Sequence, residues 1–349
     1  MLLVASVRAE PTAVEQCLLR ELNAAPGGTT VAELRQRCEP RATVPAAPAS
    51  NTAARVLSAV IEPAPQVLER LQSKAEDERS LFERRVASEV RAAQEPFALL
   101  PHRPNYLLPV SHQERKATSL DFGSADRAVE SQFQISFKLP VLPPLLGGRV
   151  LPFFAYTGRA WWQVYDAPRS RPFREYNHEP ELLLAAPGAG AEWLGWRHRL
   201  TVFGLNHQSN GRSVPQSRSW NRVTMEFYLD RGQHTWAALK VWQRLPEDRK
   251  SDPNASSGDD NPDISRYLGH FELRLGHAQV RGHSVTAMLR RSLRSEGRGA
   301  VQVDWSHPTG YSPSLRWKAH VFSGYGDSMI DYNVRVQRFG FGVMLNDWF

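Results

Sequence analysis

The sequence predicts an all-β fold over residues 96–349, a twelve-stranded antiparallel transmembrane β-barrel, behind a partly helical N-terminal extension over residues 1–95. Three observations carry this expectation. Beyond Phe97, apolar and polar residues alternate with period two in about twelve segments, and successive side chains of a strand point to opposite faces, so each segment has one apolar and one polar side. No stretch approaches the ~18 consecutive apolar residues of a spanning helix, which excludes a helical membrane protein and leaves a barrel open. The final segment, RFGFGVMLNDWF (338–349), keeps Phe339, Phe341, Val343, Leu345 and the terminal Phe349 on one parity.

The extension reads differently from the rest. It is rich in Ala, Pro, Glu and Arg and nearly free of aromatic residues. Met1–Ala9 starts apolar and ends on a small residue, but it lacks a basic n-region and a full h-region, so it is not a convincing signal peptide. Residues 12–38 suggest one or two short helices with a turn at Gly27 and Gly28, and residues 40–54 read as linker. From Pro65 to about Ala93 the pattern is helical, with Val67, Leu68, Leu71, Leu81 and Phe82 set among dense charges, which suggests a solvated helix or a partner-binding arm. Cys17 and Cys38 are the only cysteines; they can close one disulfide loop in an oxidising compartment or remain two thiols.

The strand segments follow. In SQFQISFKLPV (131–141), Phe133, Ile135, Phe137, Leu139 and Val141 oppose Gln132, Gln134, Ser136 and Lys138. In SRYLGHFELRL (265–275), Tyr267, Phe271, Leu273 and Leu275 oppose Arg266, His270, Glu272 and Arg274. Val301, Val303 and Trp305 form another such face, and so do Leu315, Trp317, Ala319 and Val321. Some ~250 residues over twelve strands leave roughly 20 residues per strand and connection, which suits the ~10-residue spans and unequal loops of an outer-membrane barrel. The apolar last segment ending in phenylalanine resembles the assembly signal of bacterial outer-membrane barrels. The chain carries 43 Lys and Arg against 36 Asp and Glu, a formal charge of +7. The arginines are dispersed and no recognition module accompanies them, so no nucleic-acid partner is expected.

Common catalytic signatures are absent: no GxSxG, HExxH, CxxC, Walker A or GxGxxG occurs. His178-Glu179 begins like a zinc helix, but Pro180 follows. The segment from Trp196 to Asp230 reads as strand, polar loop, strand. His207 and Ser209 are two apart and so share a face. Counting back gives Leu205, Phe203 and Thr201 on the same parity, with His198, Gly204 and Asn206 on the other. Asn221 shares parity with Val223, Met225, Phe227 and Leu229. Three polar residues thus fall on the lipid-facing register, where polar groups are penalised. Ser, His and Asn together have a chemical use: a nucleophile, a base, and a group that fixes the base's ring.

The motifs NHQSNGR (206–212), PQSRSWNR (215–222), SRPFREYNHEP (170–180), DDNPDI (259–264), FSGYGDSMIDYN (322–333) and GVMLNDWF (342–349) resemble those of the outer-membrane phospholipase A family of Gram-negative bacteria. The resemblance runs from about Pro96 to Phe349. It implies a calcium-dependent serine esterase with its active site on the barrel exterior, acting on phospholipids and lysophospholipids in the outer membrane, active as a homodimer. It implies Ser209 as nucleophile, His207 as base and Asn221 as orienting residue. Gly211 would let a backbone N–H approach the oxyanion. Calcium ligands are implied at Arg212 (through its carbonyl), Ser217 and Asp260, with Ser170 contributed across the dimer. The family often carries glutamine where YTGRAWWQ (156–163) has Gly158, which would remove a hydrogen bond to Asn221. With the long extension, this motivates an alternative: a pore or scaffold barrel that has lost catalysis. The extension is expected on the periplasmic side.

Overall fold

Lipid offers no hydrogen bonds, so a strand that crosses it must pair along both edges, and a sheet of such strands must close. In the computed structural model it does. The twelve strands are β1 (Asn105–Arg115), β2 (Val129–Pro140), β3 (Leu151–Trp162), β4 (Phe173–Pro187), β5 (Trp196–Ser209), β6 (Ser219–Arg231), β7 (Thr235–Arg244), β8 (Phe271–Ala278), β9 (Ser284–Arg291), β10 (Gly299–Pro308), β11 (Leu315–Gly324) and β12 (Val336–Leu345). Each pairs antiparallel with the next, and β12 closes on β1, from Val336 opposite Arg115 to Leu345 opposite Asn105. Two short pairings, Leu100–Pro101 on β2 and Glu192–Trp193 on β5, add to one end. Among the described residues, three α-helices accompany the barrel: α1 (Ala64–Gln72), α2 (Leu81–Ala92) and α3 (Ile264–Leu268).

The structure describes residues 64–349 other than 76–77, 93–94, 96–97, 116–126, 253, 256, 280–281, 295, 313 and 346–349, and before them Arg20, Glu21, Asn23 and Cys38. The chain divides into two units, Met1–Arg55 and Val56–Phe349. In the first, Arg20, Glu21 and Asn23 are helical, and Cys38 is buried and disulfide-bonded. Cys17, the Met1–Ala9 start, the Gly27-Gly28 turn, the linker over 40–54 and the terminal Phe349 lie outside the described residues.

Alternation sets the two faces as expected. On β2, Ile135 is 57% exposed while its neighbours Gln134 and Ser136 are buried. Phe203, Leu205, Val223, Val301, Val303, Val321, Phe339 and Phe341 are likewise exposed on the outside. The interior is ionic. Arg174 joins Glu130 at 2.9 Å and Asp331 at 2.7 Å, and Arg338 joins Glu130 at 3.0 Å and Asp327 at 2.7 Å. Arg103 joins Glu179 at 2.7 Å and Glu181 at 2.9 Å. Removing one partner of such a buried pair leaves a bare charge and costs about 3–5 kcal/mol.

Helix α2 closes the end of the barrel that carries the β4–β5, β6–β7 and β8–β9 turns. The helix predicted to be solvated is instead buried along Phe82, Val86, Ala87 and Val90. Ser80 and Glu83 form a capping box: the Glu83 N–H donates to Ser80 Oγ at 3.2 Å and the Ser80 N–H to Glu83 Oε2 at 3.0 Å. Phe82 packs against the Tyr228 and Trp236 rings at centroid distances of 5.2 and 6.1 Å. Val67 and Leu71 of α1 join the same cluster with Leu151, Phe153, Leu183 and Leu200. The charges have partners in the barrel wall: Glu89 with Lys138 at 2.5 Å and Glu83 with Arg199 at 3.1 Å. Charge density marked this helix as solvated because the sequence does not display that its charges pair with the polar inward face of the strands.

Two further local expectations are revised. Tyr267 belongs not to β8 but to α3, where it packs edge-on against Tyr332 at 5.6 Å; Gly269, at a φ of 70°, ends the helix before the strand begins. On β5 a register shift between His198 and Leu200 breaks the strict alternation, and His198 meets Thr201 at 2.8 Å instead of facing the lumen.

Candidate active site

Strands β5 and β6 meet at the end of the barrel opposite α2. Their register sets His207 directly across from Asn221 and Ser209 across from Ser219. His207 is exposed on the outer face, flanked along β5 by exposed Leu205. His207 Nδ1 lies 2.8 Å from Asn221 Oδ1. An amide oxygen only accepts, so Nδ1 carries the proton and Nε2 keeps a lone pair. Ser209 leaves the strand on the same side one pleat further on. The interleaved residues point inward and lock the wall behind the trio. Trp220 Nε1 donates to Gln208 Oε1 at 2.8 Å, Arg222 lies 4.1 Å over the Trp220 ring, and Arg222 Nε donates to Asn206 Oδ1 at 2.9 Å.

The β5–β6 loop is organised by Asn210, which is buried. Its Oδ1 accepts from the N–H groups of Arg218 at 2.9 Å and Arg212 at 3.3 Å, and its Nδ2 donates to the Gln216 carbonyl at 2.9 Å. Gly211 adopts a φ of 62°, a left-handed conformation that favours glycine. A Cβ there would sit 3.8 Å from the His178 ring, ordinary contact, so backbone conformation and not space calls for glycine. His178, which in the sequence was only the failed start of a zinc helix, stands opposite Ser209 across the β4–β5 pair. Its Nδ1 bonds Tyr156 Oη at 2.7 Å, and its ring stacks on Tyr176 at 6.1 Å.

The expected calcium residues are partly assembled. Ser217 Oγ donates to Asp260 Oδ2 at 2.5 Å, which brings the β5–β6 and β7–β8 loops together. Lys250 forms an ion pair with the other oxygen, Asp260 Oδ1. Arg212 lies on the same loop as Ser217, its guanidinium held by Glu175 at 3.2 Å and Gln216 at 2.9 Å. Ser170 stands apart on the β3–β4 loop, left-handed at a φ of 59°, with its N–H bonded within its own turn to Ala167. Gly158 is not a neighbour of Asn221: β4 and β5 stand between β3 and β6, and a Cβ at Gly158 would meet Tyr156. Its backbone row runs through His178 to Ser209, so the loss of a hydrogen bond to Asn221, expected from the resemblance, does not follow from Gly158.

Two neighbours of the site escaped sequence reasoning. Asn210 is one. The other is Glu247, in the β7–β8 loop, whose Oε1 lies 3.4 Å from Asn221 Nδ2. Burial raises the Glu247 carboxyl above its ordinary value, with Arg244 working against it. Both act through loop contacts that have no period to read.

The Phospholipase A1 family model matches residues 82–345. The phospholipase A1 of Salmonella typhimurium is 35% identical over 76% of this chain and 87% of its own length, and that of Escherichia coli K12 matches to the same extent. Among solved structures, the outer membrane phospholipase A from Escherichia coli superposes with a TM-score of 0.64 at 34% identity, covering 72% of this chain and all (100%) of that one. The calcium-bound dimer of the Salmonella typhi outer membrane phospholipase gives 0.65 at 33% identity, over 73% and 94%. An active-site asparagine-to-alanine variant of the Escherichia coli enzyme gives 0.66. The chain therefore belongs to the phospholipase A1 family and is a phospholipase of the outer-membrane β-barrel type.

Proposed function

We propose that the chain is a calcium-dependent serine esterase that hydrolyses the sn-1 and sn-2 acyl esters of phospholipids and lysophospholipids. The observation that carries this is the 2.8 Å contact between His207 and Asn221 on the lipid-facing side of the wall, with Ser209 on the same parity of β5. A substrate resting in the bilayer reaches that face without entering the barrel. Ser209 Oγ attacks the ester carbonyl while His207 Nε2 takes its proton. The imidazolium is steadied through Nδ1–H by the Asn221 amide oxygen, and then protonates the departing lysolipid oxygen. Water, deprotonated by the same nitrogen, cleaves the acyl-serine ester and releases the fatty acid. The Gly211 N–H would donate to the carbonyl oxygen as it gains charge.

The active-site asparagine-to-alanine variant of the Escherichia coli relative supports an asparagine in this role. For calcium, the donor oxygens are of the right kind, a hydroxyl and a carboxylate in contact, and the ion would take the place of the Lys250 ammonium paired to that carboxylate. Ser217, Asp260 and the Arg212 carbonyl would hold the ion, with Ser170 arriving from a second copy. When bound it supplies positive charge near the oxyanion. A homodimer follows the calcium-bound dimer of the Salmonella typhi relative. Short turns of such barrels face the periplasm, which puts the extension there too. The ion-paired interior and the α2 plug favour this reading over a pore.

An assay of detergent-solubilised protein on a diacyl phospholipid, with and without EGTA, tests the proposal. We expect hydrolysis that EGTA abolishes and that Ca2+ restores. Full activity in EGTA would remove the calcium role, and full activity in Ser209→Ala would remove the nucleophile.

A further inference from the structure

An asparagine that orients a catalytic histidine has a weakness an aspartate lacks. Its amide has an accepting end and a donating end, and only one presents oxygen to the ring. If the amide turned over, Nδ2 would donate to His207 Nδ1. The imidazole would then carry its proton on Nε2 and have no lone pair for Ser209. Something must select the orientation.

We propose that Glu247 is the positioning residue that holds the Asn221 amide with its oxygen toward His207. The proposal rests on the Ser209–His207–Asn221 reading and deepens it. Glu247 Oε1 faces Asn221 Nδ2 at 3.4 Å, on the side of the amide away from His207. As a carboxylate it can only accept, so it attracts the amide N–H and turns Oδ1 to the ring. The loop that carries it is pinned to the same residue: the Leu245 N–H donates to the Asn221 carbonyl at 2.8 Å. Arg244 fixes the loop further, bonding Asp259 at 2.6 Å and lying 3.9 Å from Glu247 itself. Glu247 is only 20% exposed at its side chain, so water competes for few of its contacts. The β7–β8 loop therefore serves two tasks: Asp260 reaches Ser217, and Glu247 supports Asn221. The resulting order is Ser209, His207, Asn221, Glu247, with the negative charge placed one residue further from the lipid than an aspartate in the third position would place it.

The test uses the full-length protein in detergent micelles with Ca2+, measuring kcat and KM. At 3.4 Å the contact is a weak one, so Glu247→Ala should lower kcat by about 3- to 10-fold with KM little changed. Glu247→Gln, which keeps an accepting oxygen, should lose less. Glu247→Lys, which can only donate, should lose most, because it draws Oδ1 away from His207. In an Asn221→Ala background Glu247→Ala should cost nothing further, since there is no amide left to orient. Wild-type kcat in Glu247→Ala and Glu247→Lys would overturn the inference, as would an undiminished loss in the Asn221→Ala background. If Ser209→Ala is inactive while the Glu247 variants match wild type, this inference alone fails; if Ser209→Ala is active, the reading beneath it fails.

Discussion

The two faces of the barrel wall use the same backbone and opposite chemistry. Inside, polarity is matched by polarity: Asp304 lies 2.5 Å from Lys318 and 2.8 Å from His320, and Glu130 is held between Arg174 and Arg338. Outside, the wall is apolar along most of its height, and His207, Asn221 and Ser209 interrupt it at one end. An interior charge is explained by its partner. A polar trio on the lipid side has no such ionic partner; the proposed mechanism accounts for it by what it would do to an ester that arrives in the plane of the membrane. On the proposed mechanism, stability and catalysis are separated by parity, one residue apart on the same strands.

That separation can be broken from either side. The largest effect is expected outside: Ser209→Ala should lower phospholipid hydrolysis by at least about 10³-fold while leaving the heat-modified gel shift of the folded barrel unchanged. Asn221→Ala should lower kcat by roughly 10²-fold, again without loss of fold. Inside, the signs reverse. Arg174→Ala takes one of the two arginines from Glu130 and the paired guanidinium from Asp331, and should destabilise the barrel by about 3–5 kcal/mol in urea titration, with activity lost only as the fold is lost. Phe82→Ala opens a cavity between α2 and Tyr228 and should cost about 3 kcal/mol, read as easier proteolysis of the helix.

The smallest effect depends on pH. Burial pushes the Glu89 carboxyl up, but Lys138 and Arg85 beside it more than compensate and hold it at about 2, below its ordinary 4.5. A carboxyl lowered in the folded state adds stability that is complete above the ordinary value and disappears as pH falls from about 4.5 to about 2. Wild type should therefore be more stable than Glu89→Gln at pH 7, with the difference shrinking over that window in parallel urea titrations. A constant difference would show that the pair does not anchor α2.

Much of this was legible in the sequence for a physical reason. Period two is imposed by strand geometry, so the outward sets from Phe133 to Leu139 and from Phe339 to Leu345 could be read directly. The same rule placed His207, Ser209 and Asn221 on one face before any contact was known. What it could not reach were features that have no period. The bulge near Arg199, the helix holding Tyr267, the Asn210 scaffold and the approach of Glu247 all depend on local contacts that no alternation announces. Helix α2 was misjudged because burial among charges looks, residue by residue, like exposure to water.

The central claim is that the nucleophile is a serine on the lipid-facing wall. Labelling the folded protein with a fluorophosphonate and locating the adduct by peptide mapping tests it most directly. The account predicts one adduct, on Ser209, absent in Ser209→Ala and slowed in His207→Ala. An adduct elsewhere, or labelling that persists at the wild-type rate in Ser209→Ala, would contradict it.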